Sequence, residues 1–187
     1  MALRMLLTSL VLVLATDIAA ADGLPSKRMA DGKEWTTKNL DVEVAPSFCY
    51  DESVDNCRKY GRLYTWDAAR RACPALGDRW RLPTNDEWRG LGVAYGGLRE
   101  DTADKGRAAY EALVTGGRSG FDVVFGGGRS DKDRQYQRID AHGFYWTATE
   151  SAANTAWIYN FGRHGVSMNR HADAEKLQAY AVRCIRD

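Results

Sequence analysis

The stretch WRLPTNDEW, residues 80–88, contains the clearest structural signal in the sequence. Thr84 is followed three positions later by Glu87, which is the spacing of a capping box. In a capping box each of the two side chains bonds a free backbone N–H group at the start of a helix. The apolar residues that follow recur at a spacing of three and four: Trp88, Leu91 and Tyr95. This pattern predicts a helix that begins after Thr84 and packs its aromatic face into the core.

Weaker signals on the N-terminal side predict a hairpin and a second helix. Residues 29–40 read MADGKEWTTKNL, with Asp31 and Gly32 between runs that suit strands. An Asp-Gly pair in this position is typical of a hairpin with a type I′ turn. Thr65 is placed to cap a short helix with the sequence TWDAARRAC, and Pro74 ends it.

The C-terminal side is first rich in glycine and then rich in strand-forming residues. Between Gly96 and Gly128 the sequence predicts a helix over Ala108–Val114 and a strand over Phe121–Phe125. Gly126–Gly128 is interpreted as the start of a polar loop that reaches Asp140. Strand-like runs follow at residues 144–149, 156–161, 166–169 and 179–185. Because helices and strands are segregated along the chain, we expect an α+β domain with an antiparallel sheet, spanning residues 22–187.

The first 21 residues have the features of a cleaved signal peptide. Arg4 supplies a positive charge, residues 5–15 are uncharged and mostly apolar, and Ala19 and Ala21 form an A-x-A cleavage site. The apolar run is too short for a membrane-spanning helix, which needs about 20 residues. We therefore expect an exported protein, periplasmic or secreted, with no transmembrane segment in the mature chain.

The composition is that of an ordinary folded domain. Among 187 residues, 44% are hydrophobic and 27% are charged, which excludes a disordered chain. Lysine and arginine total 26 against 25 acidic residues, a formal net charge of +1. This balance argues against a nucleic-acid partner, because nucleic-acid binding depends on a basic surface.

Four cysteines form an even set: Cys49, Cys57, Cys73 and Cys184. In an exported protein such a set predicts two disulfides, and four cysteines allow three connectivities. Cys49 and Cys57 flank the polar stretch YDESVDN, which is able to turn back on itself. If those two pair, Cys73 and Cys184 are left to pair with each other. The sequence has no C-x-x-C spacing, so a zinc knuckle is poorly supported.

Five motifs occur in order along the chain: DGKEWTTKNL, CYDESVDNCRKYGRLYTWDAARRACP, WRLPTNDEW, FYWTATES and YAVRCIRD. In these motifs residues 29–187 resemble the Fibrobacter succinogenes major paralogous domain. The resemblance implies a C-type lectin-like fold, with two main helices packed on small antiparallel sheets and a long Gly-rich loop region. It also implies a bridge between Cys73 and Cys184, and a role in surface recognition.

The sequence contains none of the common catalytic motifs: no G-x-S-x-G, no H-E-x-x-H, no P-loop and no dinucleotide-binding fingerprint. The implied fold also includes formylglycine-generating enzymes, whose chemistry uses two closely spaced C-terminal cysteines, whereas Cys184 stands alone here. We therefore expect a non-enzymatic protein with no catalytic residue and no cofactor. An enzyme or enzyme accessory related to the formylglycine-generating proteins, or a structural envelope component, is the alternative.

Metal-binding sites are less well supported by the sequence than a binding surface without a metal. The EPN, QPD and WND motifs of calcium-dependent lectins are absent. Calcium binding would have to use acids of the polar loop, namely Asp131, Asp133 and Asp140. Four basic residues are interleaved with these acids, which favours a solvated charged loop instead: Arg129, Lys132, Arg134 and Arg138. A transition metal would use another set, formed by His164, His171, Asp173 and Glu175.

A binding surface is the remaining functional hypothesis, and we place it on the loop over residues 129–140 and the segment over residues 157–171. Aromatic and arginine side chains offer rigid contact area, while Asn, Ser and His adapt their hydrogen bonds. The candidate residues are Arg134, Tyr136, Trp157, Tyr159, Asn160, Arg163, His164, Ser167, Asn169 and His171. The alternative is that alternate strand residues such as Trp157 and Tyr159 face the core. The expected partner is a glycan or a cell-surface protein.

Overall fold

The computed structural model describes residues 23–77 and 79–187, which form an α+β structure. The predicted signal peptide, residues 1–21, lies outside the described residues. The α-helices are α1 (Val54–Tyr60), α2 (Trp66–Ala72), α3 (Asn85–Ala94) and α4 (Arg107–Leu113). The strands are β1 (Ser26–Arg28), β2 (Glu34–Thr36), β3 (Ser47–Phe48), β4 (Leu63–Tyr64), β5 (Gly126–Arg129), β6 (Tyr136–Ile139), β7 (His142–Ala152), β8 (Thr155–Gly162), β9 (Ser167–Glu175) and β10 (Ile185–Arg186).

Helix α3 begins at the predicted capping box. The backbone N–H of Glu87 donates to Thr84 Oγ1 at 3.2 Å, and the backbone N–H of Thr84 donates to Glu87 Oε2 at 2.8 Å. Trp88 is fully buried, and its ring stacks on the Tyr159 ring with centroids 5.4 Å apart. The prediction for this helix is confirmed. The resemblance implies two main helices, but the described residues contain four, of which only α3 exceeds seven residues.

Strands β5 to β9 form the largest sheet, in the order β6-β5-β7-β8-β9, and this sheet curls into a half-barrel. Strands β5 and β7 are parallel, whereas the other neighbours are antiparallel. The face toward α3, called here the inner face, carries fully buried side chains: Tyr145, Tyr159, Phe161 and Met168. The opposite, outer face carries alternate residues of the same strands, including Phe144 and Asn160.

The predicted N-terminal hairpin forms between β1 and β2, but its turn differs from the prediction. A type I′ turn needs positive φ at both central residues. Gly32 has φ of 82°, whereas Asp31 is not among the residues with positive φ. Strand β10 pairs with the other side of β2, so the first and last described strands belong to one three-stranded sheet.

The glycine triplet Gly126–Gly128 is a buried strand, β5, and not the start of a loop. The prediction of a strand over Phe121–Phe125 is wrong, because only Val123 forms an isolated bridge there. Gly127 has φ of 65°, and a Cβ atom at this position would clash with the Gln137 carbonyl oxygen. Glycine is therefore needed where β5 passes between β6 and β7. The run of three glycines predicted a loop, because the sequence alone does not reveal that β5 pairs with β6 and β7.

Both predicted disulfides form, Cys49–Cys57 and Cys73–Cys184. The second joins residues that are 111 positions apart and ties the end of α2 to the C-terminal segment. Closing a loop of that length stabilises a fold by about 4–5 kcal/mol in the chain-entropy model. None of the helices in the described ranges is long and apolar enough to cross a membrane.

Candidate functional site

An open cleft of about 320 Å³ lies on the outer face of the five-stranded sheet, and we call it the sheet cleft. Its floor is apolar and consists of Phe144, Ile158 and Tyr180. Phe144 comes from β7 and Ile158 from β8, whereas Tyr180 comes from the extended C-terminal segment. That segment bridges to β4 through Tyr180 and to β7 through Ala181. The volume is at the lower end of the range for small-molecule pockets, roughly 300–1,000 Å³.

Aromatic rings stack in a row beneath the cleft. The His142 and Phe144 rings lie nearly parallel, with centroids 5.4 Å apart. The Tyr180 ring lies 5.0 Å from Phe144 on one side and 5.0 Å from Trp146 on the other. Phe144 and Tyr180 are both partly exposed. The row therefore holds two partly exposed aromatic rings in place beside solvent.

Polar groups with fixed partners surround this floor. The Asn160 side chain hydrogen-bonds His142 Nδ1, and the Tyr180 hydroxyl donates to Gln178 Oε1 at 2.9 Å. Burial raises the pKa of Tyr180 to about 12, so its hydroxyl stays protonated at neutral pH. Burial lowers the pKa of His142, which leaves its imidazole neutral at pH 7. The cleft thus presents neutral hydrogen-bonding groups next to its aromatic floor.

Two arginines and a carboxylate complete the rim together with a histidine: Arg129, Arg138, Asp173 and His171. In the described ranges no salt bridge involves Arg129, Arg138 or Asp173. The buried Nε of Arg129 also has no hydrogen-bond partner among the described residues. Arg138 has φ of 65°, a left-handed backbone conformation that is strained for a residue with a side chain. The exposed Arg138 and Asp173 are free to bind a ligand that carries hydroxyl groups, whereas the Arg129 guanidinium lies over the Phe48 ring at 4.1 Å.

A second groove lies along the edge strand β9, on the other side of His171 and Asp173, which line both depressions. Its aromatic member is Trp157, and Arg170 lies over that ring at 5.2 Å. Arg170 Nε also pairs with Glu100 Oε1 at 2.5 Å. This contact holds the arginine in place over the ring.

The structure separates the predicted ligand residues into four groups. Asn160 lines the sheet cleft, and His171 lines both the cleft and the second groove. The groove alone is lined by Trp157 and Asn169. Tyr159 is buried at 0% exposure and Ser167 at 2%, and Asn160 is itself only 5% exposed. The remaining members lie outside both depressions: Arg134, Tyr136, Arg163 and His164.

Those outlying residues have other contacts. Tyr136 packs on Tyr50 with ring centroids 5.1 Å apart, and its hydroxyl bonds Glu52. Arg163 lies over the Phe125 ring at 4.9 Å. Arg134 and His164 are exposed. Several residues that line the cleft were not predicted from the sequence, among them Phe144, Gln178 and Tyr180. Phe144 and Tyr180 lie within the FYWTATES and YAVRCIRD motifs, and that is the signal that could have found them.

The candidate metal ligands are not brought together. In the described ranges no group of three or more His, Cys, Asp or Glu side chains is arranged to hold a metal ion. Asp133 accepts the backbone N–H of Gln135 at 3.1 Å, whereas Asp140 accepts the hydroxyl of Tyr60 at 2.8 Å. Asp133 therefore bonds within the loop, whereas Asp140 bonds the end of helix α1.

The model of the Fibrobacter succinogenes major domain matches residues 21–186. The chain belongs to this family. In this Fibrobacter succinogenes major domain the sheet cleft, the second groove and both disulfides all lie within the matched residues. No curated protein and no solved structure matches the chain.

Proposed function

We propose that this Fibrobacter succinogenes major domain is a non-enzymatic recognition module that binds a saccharide in the sheet cleft. The partly exposed rings of Phe144 and Tyr180, set among amide, arginine and carboxylate groups, are the observation that carries the proposal. A sugar ring has an apolar C–H face and hydroxyl groups around its edge. An aromatic floor with a hydrogen-bonding rim matches both parts of such a ligand.

The rim groups suit hydroxyl ligands in particular. The Asn160 and Gln178 amides each carry a donor and an acceptor, whereas Arg138 only donates and Asp173 only accepts. Because charges of both signs line the cleft, we expect it to take an uncharged sugar, whose hydroxyl groups both donate and accept. Direct binding by these side chains needs no metal ion, so the interaction is proposed to be independent of calcium.

Fold and location are part of the same proposal. The five ordered motifs support a C-type lectin-like fold, and the Cys73–Cys184 bridge is the one that this resemblance implies. Two disulfides support export to an oxidising compartment, periplasmic or extracellular. A recognition domain outside the cytoplasm would meet the polysaccharides of cell envelopes.

The test is a glycan and envelope-polysaccharide array probed with the oxidised mature protein, in calcium and again in EDTA. The Phe144→Leu variant removes the aromatic face and keeps an apolar side chain. We expect it to weaken binding about tenfold, as the loss of a stacking contact predicts. Arg163→Ala is the matched control, because Arg163 is exposed outside the cleft.

Three outcomes would count against the proposal. Equal binding by wild type and Phe144→Leu would remove the cleft from the site. Binding that is lost in EDTA would require a metal-bridged site. Failure to bind any saccharide would reject a glycan ligand and favour a surface protein as the partner.

A further inference from the structure

A second cleft, of about 500 Å³, lies elsewhere on the molecule and shares no residue with the sheet cleft or the second groove. It is bounded by residues 37–41, by the C-terminal end of α1 and by the loop from Thr115 to Val124. We call it the basic cleft. Four cationic side chains line it: Lys38, Arg58, Lys59 and Arg183. Two acids also line it, Asp41 and Asp122.

Arg183 is the unusual member, because its side chain is charged and fully buried. Its guanidinium donates only to neutral acceptors. They are Asn39 Oδ1 at 2.6 Å and the carbonyl oxygens of Thr36, Phe121 and Asp122 at 3.0, 2.7 and 2.7 Å. No carboxylate oxygen in the described ranges lies within 4 Å of it. Burying an ion without a counter-ion is expensive even when its hydrogen bonds are made. An anion nearby would therefore be bound favourably.

The lysines at the rim are available for such an anion. Lys38 and Lys59 are exposed, and neither forms a salt bridge with another described residue. The Lys59 ammonium lies 4.6 Å from the centre of the Tyr60 ring, at the mouth of the cleft. Arg58, by contrast, pairs with the exposed Asp55 at 2.8 Å.

The two acids of the cleft have partners of their own. The Asp122 carboxylate accepts the backbone N–H of Gly116 at 3.3 Å. Asp41 lies 3.8 Å from the Arg62 guanidinium. Burial still lowers the pKa of Arg183 in spite of the nearby Asp122 charge, and four cationic side chains line the cleft against two acids.

We propose that the basic cleft binds an oxyanion of the phosphate or sulfate type. The ammonium groups of Lys38 and Lys59 contact the oxyanion directly, and Arg183 supplies a fixed positive charge beneath it. Such ligands are held by clustered cationic donors, which neutralise the charge and bond several oxygens at once. The site is independent of the saccharide proposal, and neither requires the other.

The probe is inorganic phosphate, titrated into the folded protein at constant ionic strength and followed by calorimetry and by the melting temperature. Wild type should bind one phosphate saturably. The Lys38→Gln/Lys59→Gln double variant should bind it at least tenfold more weakly. The matched control is Lys105→Gln/Lys132→Gln, which removes two exposed lysines that do not line the cleft.

The comparison between variants is essential, because phosphate also stabilises proteins by exclusion from their surfaces. An equal, non-saturating rise in melting temperature for wild type and both double variants would overturn the proposal. Equal affinity in wild type and Lys38→Gln/Lys59→Gln would also overturn it. Both lysines are exposed, so these variants are expected to fold and to give a result whether or not changes at Arg183 are tolerated.

Discussion

The two faces of the five-stranded sheet come from the same strands but are built differently. On the inner face Tyr145, Tyr159 and Phe161 are fully buried around Trp88 of helix α3. On the outer face Phe144 is partly exposed and lies among polar side chains. Of these, Asn160 and Gln178 have fixed partners, while Arg138 and Asp173 form no salt bridge with a described residue. Successive strand residues point to opposite faces, so one step along β7 leads from the cleft to the core.

This difference separates stability from recognition. The inner face has a continuous aromatic cluster, in which the Trp88 ring lies 5.0 Å from Trp35 and 5.4 Å from both Tyr145 and Tyr159. The outer face has aromatic rings too, but they form a floor that is open to solvent. Substitutions on the inner face should therefore destabilise the fold, while those on the outer face should alter binding.

The largest effect is expected for Trp88→Ala. Truncating a fully buried tryptophan removes its apolar burial and leaves a cavity, which lowers the free energy of unfolding by about 3–5 kcal/mol. Equilibrium denaturation in guanidinium chloride measures this change. Trp157→Ala is the matched control, because Trp157 is partly exposed. A loss for Trp157→Ala as large as that for Trp88→Ala would contradict the assignment of Trp88 to the core.

A smaller effect is expected at the capping box, which positions α3 on the inner face. Burial opposes ionisation of Glu87, but hydrogen bonds from Arg81 and the Thr84 backbone outweigh it and hold the pKa at about 2. The ordinary value is 4.5. Because the folded pKa is lower, this ion stabilises the fold at neutral pH, and the contribution is lost as the pH falls from about 5 to 2.

The Glu87→Gln variant tests this contribution. A pKa difference of that size corresponds to about 3 kcal/mol of stability at neutral pH. We expect the difference in unfolding free energy between wild type and variant to be greatest near pH 7 and to shrink toward pH 2. Urea denaturation across this range measures it. A difference that does not change with pH would show that the charge of Glu87 contributes little.

The smallest effect on stability is expected for His171→Ala on the outer face. His171 is exposed, so the free energy of unfolding should change by no more than about 0.5 kcal/mol. Its position between the sheet cleft and the second groove predicts weaker saccharide binding in the same variant. Thermal melting and a binding titration together check both parts. A large loss of stability would mean that the two faces are not functionally separate.

Features set by neighbouring residues could be predicted from the sequence. The capping box depends on two side chains three positions apart, and it forms as predicted. The hairpin over β1 and β2 is also local and forms as predicted. Its type I′ turn does not form, because Asp31 lacks the positive φ angle that this turn requires. The family resemblance supplied the Cys73–Cys184 bridge, which spacing alone left open.

The site depended on distant residues and could be predicted only in part. Phe144 and Tyr180 are 36 positions apart and meet because the C-terminal segment bridges to both β4 and β7. The face on which Tyr159 lies follows from strand register, and a β-bulge between Ala156 and Ile158 interrupts the pairing of β8 with β9. Neither the contact between Phe144 and Tyr180 nor the register of β8 can be predicted from the spacing of residues in the sequence.

Strands β1 and β10 lie on either side of β2, and both run antiparallel to it. They are therefore parallel to each other and about 10 Å apart, since neighbouring strands lie about 4.8 Å apart. Where two ends of a domain lie this close, the domain tolerates insertion into a surface loop of another protein. Because these strands are parallel, Arg186 lies across β2 from Arg28, so a linker to Ser26 must both cross β2 and run back along β1. With such a linker, and new ends in an exposed turn, a circular permutant should keep the same core.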